Sequence, residues 1–185
     1  MKPTFLKIAN LFNTMAQMPE LLEQIDTLVN MILTTHKAGG KVIVFGNGGS
    51  AAEAQHFVAE LIVKYNKVRK PIAAITIDAA STLTAIGNDF GYDQAFIRQL
   101  VALIKPEDLV IGISTSGKSR NVLAGLIMAC GRTNTVLLTG AGVDHIALAG
   151  LDLVLAVPET ETARIQEAHL AIIHIVCDAL DSLVG

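Results

Sequence analysis

The sequence predicts an α/β protein with a doubly wound, mostly parallel five-stranded sheet that is flanked by helices on both faces. Short segments that are apolar throughout alternate with longer segments of helical periodicity. Strands of a parallel sheet are buried on both faces and read as continuous apolar runs, and the helices between them cover the sheet. Two of the predicted strands also run into Gly- or Ser-rich loops that precede a helix. At 185 residues, we expect one domain over the whole chain, 1–185.

A helical segment opens the chain. Apolar residues recur at helical spacing over residues 4–36, with a break near Pro19, and Gly39-Gly40 ends the pattern. The composition is 51% hydrophobic and only 17% charged, which indicates buried subunit interfaces. We therefore expect residues 1–38 to form an N-terminal helical segment that packs in an oligomer.

Strands and helices alternate over the rest of the chain. The predicted strands are residues 41–45, 72–77, 109–113, 135–139 and 152–157. The predicted helices are residues 50–64, 81–86, 93–103, 119–130 and 161–183, with a short turn near 144–149.

Composition and charge argue against membrane and nucleic-acid proteins. No apolar stretch approaches the roughly 18 residues of a spanning helix, and the N-terminus lacks the apolar core of a signal peptide, so we expect a cytoplasmic protein. The net charge is −3, and the one basic cluster, over residues 64–70, reads as a solvated loop. Cys130 and Cys177 have no ligand-like spacing and read as buried thiols.

The loops after the first and third predicted strands carry the first functional signal. They are Gly46-Asn-Gly-Gly-Ser-Ala-Ala52 and Ser114-Thr-Ser-Gly-Lys-Ser119. Helix N-termini present N–H groups and a partial positive charge, and hydroxyls add donors, so these loops suit an oxyanion such as phosphate. Ligands of open parallel sheets bind outside the carboxyl ends of the strands, where both loops can line one pocket.

Neither loop has the spacing of a nucleotide site. The first loop lacks the complete G-x-G-x-x-G pattern of dinucleotide-binding folds. Gly117-Lys-Ser119 imitates the end of a P-loop, but the required glycine five residues earlier, Gly112, lies inside the predicted strand. We therefore expect no nucleotide cofactor.

Two helices carry polar side chains that can reach such a pocket. His56 and Glu60 are four residues apart and share a helix face, either as a surface pair or as part of the site. In the C-terminal helix, which is apolar nearly all round, Gln166 and His174 differ by about 80° and can share a face, whereas His169 points elsewhere. His174 is then either a core histidine or a catalyst.

The sequence also resembles a known family, and five ordered motifs carry the resemblance. They are Gly46-Asn-Gly-Gly-Ser50, Ala54-Gln-His-Phe57 with Glu60, Ala85-Ile-Gly-Asn-Asp-Phe90, Ile113-Ser-Thr-Ser-Gly117, and Thr162-Ala-Arg-Ile-Gln-Glu167 with His174. Over residues 5–183 the chain is similar to the phosphoheptose isomerase family of the sugar isomerase (SIS) superfamily. The resemblance implies an SIS-type, flavodoxin-like fold and a homotetramer with active sites at subunit interfaces.

The resemblance further implies an aldose–ketose isomerase that converts sedoheptulose 7-phosphate to D-glycero-D-manno-heptose 7-phosphate through an enediol, the entry to bacterial surface heptose such as that of lipopolysaccharide. In that reaction Glu60 is the base and His174 the acid. The implied phosphate ligands are Ser50, Ser114, Thr115, Ser116 and Ser119, and the implied sugar contacts are Asn47, Asp89 and Gln166. Some members resemble a zinc site built from His56, Glu60, Gln166 and His174.

Three positions depart from the family pattern. Lys118 stands in place of the usual Asn, Lys64 in place of the Arg of many members, and Ala163 in place of the Asp of some members. The two lysines keep positive charge for a phosphate but lack the bidentate geometry of arginine. The reaction type is therefore better determined than the exact ketose phosphate.

A non-catalytic module is the competing interpretation. One relative that associates with the replication initiator resembles this chain in its loops but lacks the carboxylate and histidine that stand here as Glu60 and His174. Because isomerisation needs a base near C1 and C2, an acid near their oxygens and a phosphate clamp, the presence of both residues favours an enzyme.

Overall fold

A parallel sheet of five strands forms the centre of the computed structural model, which describes residues 1–143 and 148–184. The strands are β1 (Val42–Gly46), β2 (Ala74–Thr76), β3 (Leu109–Ser114), β4 (Asn134–Thr139) and β5 (Leu153–Ala156). Their order is β2-β1-β3-β4-β5, and every neighbouring pair is parallel. This is the strand order of flavodoxin-like folds, as predicted.

Seven α-helices and one short 3₁₀ turn surround the sheet in the described residues. The helices are α1 (Lys2–Ala16), α2 (Pro19–Lys37), α3 (Gly49–Ile62), α4 (Ala80–Phe90), α5 (Ile97–Leu103), α6 (Arg120–Ala129) and α7 (Thr162–Leu183), and the 3₁₀ turn is Tyr92–Gln94. Two predictions differ from the structure: α4 is longer than the predicted 81–86, and the predicted helix 93–103 is divided into the 3₁₀ turn and α5. Most of the predicted turn near 144–149 lies outside the described residues.

The apolar strands build two hydrophobic cores, one on each face of the sheet. In β1, Val42 and Val44 face the core made with α2, α3 and α7, whereas Ile43 and Phe45 face the core made with α5 and α6. Side chains alternate across a strand, so a strand that is covered on both faces must be apolar at every position. The prediction of a doubly wound sheet is confirmed.

The two N-terminal helices differ in what they pack against. Leu28 and Ile32 of α2 are fully buried in the core of the sheet. In α1 only Leu11 and Met15 are buried, and Phe5 keeps 73% of its surface exposed. The predicted segment 1–38 therefore divides into a helix of the chain's own core and a helix with an open apolar surface.

Both Gly- or Ser-rich loops lie at the topological switch point of the sheet. The first loop follows β1 and the second follows β3, and these strands are neighbours. The helix after the first loop, α3, packs on one face of the sheet, and the helix after the second loop, α6, packs on the other. A crevice opens at the carboxyl edge where the chain departs to opposite faces.

The cysteines are in apolar surroundings. Cys177 on α7 is fully buried, and burial raises the pKa of its thiol to about 12. Cys130, after α6, is only half-buried, so the predicted burial is complete for one thiol alone. In residues 1–143 and 148–184, no helix combines the length and apolar character needed to cross a bilayer.

Candidate active site

Two glycines of the first loop, Gly46 and Gly49, leave no room for a side chain, and a third, Gly48, has a positive φ. A Cβ on Gly46 would lie 2.9 Å from the carbonyl oxygen of Ile113 in the neighbouring strand. Gly48 has φ of 55°, which glycine adopts readily. A Cβ on Gly49 would lie 2.2 Å from Nε2 of Gln166. The amide of Gln166 on α7 therefore rests directly on the first turn of α3.

The second loop is held by its own hydroxyls. Ser114 Oγ, which is buried, donates to Ser119 Oγ at 3.1 Å, and the backbone N–H of Lys118 donates to Ser116 Oγ at 3.2 Å. Ser116 and Lys118 are exposed, and Thr115 is half-buried. The hydroxyls of Ser116 and Thr115 are thus open to a ligand, whereas Ser114 fixes the shape of the loop.

A side-chain bridge joins the two loops. Asn47 in the first loop and Asn121 at the start of α6 exchange two amide hydrogen bonds of 2.9 Å, and the Tyr92 hydroxyl donates to Asn47 Oδ1 at 3.0 Å. The family resemblance implies a sugar contact for Asn47 but indicates no role for its two partners, Asn121 and Tyr92. Neither Asn121 nor Tyr92 stands in a motif with a chemical meaning, and only the fold brings them together.

His56, Glu60 and His174 lie together where α3 packs against α7. His56 Nε2 is 2.8 Å from His174 Nε2 and 3.6 Å from Glu60 Oε1. The ring of Tyr65 stacks on His174 with a centroid distance of 5.3 Å. The cluster is half-buried, with 39% of the His56 side chain and 21% of the Glu60 side chain exposed. It is accessible to a ligand and also partly shielded from water.

The contact between the two histidines restricts their protonation. A hydrogen bond between two Nε2 atoms needs one donor and one acceptor, so only one of these nitrogens carries a proton. Glu60 Oε1, at 3.6 Å, is too far away for a hydrogen bond. Among the residues that the structure describes, the Glu60 carboxylate makes no hydrogen bond. A carboxylate of this kind beside an imidazole pair that shares a proton places a base next to an acid, as proton transfer requires.

The predicted metal ligands are only partly brought together. Two imidazole nitrogens and a carboxylate oxygen have the donor chemistry that zinc takes. However, the two nitrogens are spaced as a hydrogen-bonded pair, and in the part of the chain that the structure describes no group of three or more His, Cys, Asp or Glu side chains is arranged to hold a metal ion. Gln166 lies two turns earlier on α7, against Gly49.

A buried polar pair lies closer to the loops on the same two helices. His169, which the helix geometry predicts to point away from Gln166 and His174, is fully buried and its Nε2 donates to the carbonyl oxygen of Thr139 at 3.2 Å. Its Nδ1 lies 3.9 Å from Oε2 of Glu53, a buried carboxylate one turn after Ser50. Glu53 and His169 are distant in sequence, and only the packing of α3 against α7 brings them together.

The far end of α3 is anchored to α7 by a buried ion pair. Arg69 Nε donates to Asp181 Oδ1 at 2.8 Å, and its Nη2 donates to the carbonyl oxygen of Glu60 at 2.9 Å. Burial opposes ionisation of the Asp181 carboxyl most strongly, but the N–H groups of Lys67 and Asn66 and the Arg69 guanidinium together hold its pKa below the usual range. The basic cluster at 64–70, predicted to be a solvated loop, thus contains one structural arginine.

Two further candidates stand apart from these contacts. Asp89, an implied sugar contact, lies within α4 and is exposed, where its carboxylate accepts a hydrogen bond from Asn88 Nδ2 at 2.8 Å. Lys64 is exposed just after α3. Ser50, by contrast, is buried in the first turn of α3.

The family profile of SIS domain proteins matches residues 8–139 of the chain. The strand order, the two loops at the switch point and the polar cluster between α3 and α7 agree with this class. Two curated relatives extend the match. The phosphoheptose isomerase of Paramagnetospirillum magneticum is 46% identical over 166 residues (88% of this chain and 85% of that protein), and the probable phosphoheptose isomerase of Thermoplasma volcanium is 47% identical over 167 residues (87% and 83%). The chain therefore belongs to the phosphoheptose isomerase family of SIS domain proteins.

Solved structures agree with this assignment. The phosphoheptose isomerase of Neisseria gonorrhoeae superimposes with a TM-score of 0.88 at 37% identity, covering 98% of this chain and 96% of that chain. The phosphoheptose isomerase of Francisella tularensis gives the same TM-score at 32% identity, with the same coverage. The protein is an isomerase, as the sequence predicts.

Proposed function

We propose that this protein interconverts sedoheptulose 7-phosphate and D-glycero-D-manno-heptose 7-phosphate. The observation that carries the proposal is the cluster of Glu60, His56 and His174 between α3 and α7. In this cluster a carboxylate that makes no hydrogen bond within residues 1–143 and 148–184 lies beside an imidazole pair that shares a proton, and relatives of the chain are named phosphoheptose isomerases.

The loops at the switch point would hold the phosphate. Hydroxyls of Ser50, Ser114, Thr115, Ser116 and Ser119 stand beside the N-termini of α3 and α6. A phosphate there gains hydrogen bonds from hydroxyls and backbone N–H groups together with the favourable helix dipoles. Fixing the phosphate fixes the other end of the substrate relative to the base.

Proton transfer would then proceed in two halves. Glu60 removes the proton from C1 of the open-chain ketose while His174 donates a proton to the C2 oxygen, which gives the enediol. In the second half, His174 takes the proton from the C1 oxygen and Glu60 gives its proton to C2, which yields the aldose and restores both residues. The stacked ring of Tyr65 orients His174, and Asn47, Asp89 and Gln166 contact the sugar hydroxyls.

A zinc ion is part of the proposal as an auxiliary group. His56, Glu60 and His174 would hold it only after the two imidazoles had moved out of their hydrogen bond with each other, with Gln166 as the fourth candidate ligand. When bound, it would polarise the sugar oxygens at C1 and C2 as a Lewis acid. Elemental analysis of the purified protein, together with the melting temperature before and after chelation, tests zinc binding without relying on activity.

The proposed assembly is a homotetramer with the active sites at subunit interfaces. The catalytic cluster is bordered by exposed apolar side chains, since Ile175 follows His174 and is 53% exposed, and Ile62 and Val63 follow Glu60 by two and three residues and are exposed. Apolar surface beside a reactive cluster suits a neighbouring subunit that completes the site. The product would supply bacterial surface heptose, such as that of lipopolysaccharide, from the cytoplasm.

A non-catalytic phosphosugar-binding role is not favoured. The base and the acid that such a module can lose are both present here and both lie in one cluster.

Exchange of substrate protons with solvent tests the reaction. We expect NMR in D₂O to show deuterium at C1 of sedoheptulose 7-phosphate and the appearance of aldose signals with deuterium at C2. A panel of shorter ketose phosphates, offered at the same concentration, identifies the preferred chain length. If no ketose phosphate exchanges a proton, the protein does not catalyse isomerisation.

A further inference from the structure

The bridge between the two loops fixes the orientation of the Asn47 amide. Asn47 Nδ2 donates to Asn121 Oδ1 at 2.9 Å, Asn121 Nδ2 donates to Asn47 Oδ1 at 2.9 Å, and Tyr92 Oη donates to Asn47 Oδ1 at 3.0 Å. Asn121 is buried, with 3% of its surface exposed. The amides of the two asparagines therefore face each other in a closed pair.

A backbone group sets the direction of this pair. The N–H of Val122 donates to Asn121 Oδ1 at 3.0 Å. A backbone N–H can only donate, so the atom it meets must be the oxygen of the Asn121 amide. The nitrogen of Asn121 then faces the oxygen of Asn47, and the nitrogen of Asn47 faces the oxygen of Asn121. Neither amide can be turned over without placing two donors against each other.

The pair leaves Asn47 with one group to offer a ligand. Its Oδ1 already accepts two hydrogen bonds, one from Asn121 and one from Tyr92. Its Nδ2 has two hydrogens, of which Asn121 takes one. An asparagine that rotates freely can present either an oxygen or an NH₂ group, whereas this one presents a single N–H.

We propose that Asn121 and Tyr92 are positioning residues that hold Asn47 as a one-sided donor, so that the site selects an acceptor oxygen of the substrate, either a carbonyl or a hydroxyl lone pair, at this point. This inference rests on the proposed function, because it assigns the group that Asn47 recognises on the bound sugar. The same two hydrogen bonds tie the loop after β1 to the helix after β3.

A double-mutant cycle tests the proposal. We expect N121A to lower kcat/KM about tenfold, mainly through KM, because the freed Asn47 amide loses its orientation. N47A should lower it at least as much, and the N47A/N121A double variant should be no worse than N47A alone, because Asn121 acts through Asn47. Y92F should cost about twofold to threefold, since one of two donors to Asn47 Oδ1 is lost. N134A, which changes an exposed asparagine at the amino end of β4, should leave kcat and KM unchanged.

A second measurement does not depend on turnover. The Asn47 side-chain amide, identified in ¹⁵N spectra by its absence in N47A, should exchange slowly with solvent in the wild type and rapidly in N121A and Y92F. Tyr92 is 54% exposed, so Y92F keeps the test available where N121A does not fold. Losses of N47A and N121A that multiply in the double variant, or unchanged amide exchange in Y92F and N121A, would overturn the proposal. If the wild type turns over no ketose phosphate, the proposed function fails while the exchange rates still decide whether the pair orients Asn47.

Discussion

At the scale of single residues, the Glu60 side chain is half-buried and makes no hydrogen bond in the part of the chain that the structure describes. Its carboxylate oxygen lies 3.6 Å from His56, and its backbone carbonyl is held by Arg69. The side chain is thus free to accept a proton while its backbone is fixed. That combination distinguishes it from the Glu161 carboxylate, which is paired with Lys7 on the surface.

Replacement of Glu60 by glutamine removes the base and keeps the shape. We expect kcat of E60Q to fall by at least about 10²-fold, because general base catalysis contributes about 10²–10⁴-fold, while KM and the melting temperature change little. Steady-state kinetics and a thermal melt measure both. E23Q, on the exposed face of α2, is the matched control and should behave as the wild type. A variant E60Q that keeps a tenth of the activity would assign the base to another residue.

Tyr65 acts on His174 through its ring. The rings are 5.3 Å apart at 26°, a stacked geometry that restricts the imidazole. We expect Y65A to lower kcat about fivefold to tenfold, since an aromatic pair contributes about 0.5–1.5 kcal/mol, and Y65F to retain most of the activity. Equal losses in Y65A and Y65F would mean that the hydroxyl, not the stacking, is what the reaction uses.

The sequence predicts those contacts in the site that depend on the spacing of residues within one helix. His56 and Glu60 are four residues apart on one helix, so their shared face could be predicted before any fold was known. Asn121, Tyr92 and Tyr65 could not be predicted in this way. Each acts on a residue that is distant in sequence, and the contact exists only after β1, β3 and α7 have packed.

At the scale of elements, the apolar runs located the strands to within one or two residues. The predicted strand 109–113 is β3, Leu109–Ser114, and the predicted strand 72–77 contracts to the three residues of β2, an edge strand. The end of α4 was missed because Gly87-Asn-Asp89 is typical of a turn, whereas the structure continues the helix to Phe90. Tertiary packing overrides such weak local preferences.

The second loop is the element on which phosphate binding depends. We expect S116A and S119A each to weaken binding of the phosphorylated substrate by about 1.5–3 kcal/mol, the range for a lost hydrogen bond to a charged group. Calorimetric titration with substrate and with inorganic phosphate measures this effect. S182A, an exposed serine at the end of α7, serves as the control. Unchanged binding of both ligands in S116A and S119A would leave the loop as a structural turn.

Arg69 forms an ion pair with Asp181 on α7 and also donates to the backbone carbonyl oxygen of Glu60 near the end of α3. It therefore connects the backbone at Glu60 to α7, the helix that carries His174. The side chains of Arg69 and Asp181 are both 1% exposed. We expect D181N to lower the free energy of unfolding by about 3–5 kcal/mol, because the arginine charge is then buried without its partner. Urea unfolding at pH 7 measures the loss. D178N, an exposed aspartate one turn earlier, should be nearly neutral.

The same carboxylate predicts a pH dependence. The pKa of Asp181 is held below its usual range in the folded protein, so its contribution to stability is complete above the unfolded value of about 3.9 and is lost as the pH falls through the folded value. The wild type should therefore lose stability on acidification below about pH 4. In that interval the D181N variant should show a smaller slope, and identical slopes for the two proteins would contradict this role of Asp181.

At the scale of the whole molecule, the helices α1, α2 and α7 share an open apolar groove. Phe12, Met15, Leu22 and Ile175 line a groove of about 270 Å³, and Leu22 is 46% exposed. Apolar surfaces of this kind mark contacts between subunits. The sequence composition had already indicated such contacts, but which helix faces stay open depended on how α2 packs into the core.

A charge placed in this groove should separate the subunits. We expect the wild type to be a homotetramer by light scattering, and L22E to dissociate, because a carboxylate buried at an apolar interface costs several kcal/mol unless it is paired. Activity of L22E should fall together with the tetramer, since Ile175 places the same surface next to His174. N134E adds an equal charge at an exposed position at the amino end of β4 and should remain tetrameric and active. A wild type that is a stable, fully active monomer in dilute solution would contradict both the assembly and the placement of the active sites between subunits.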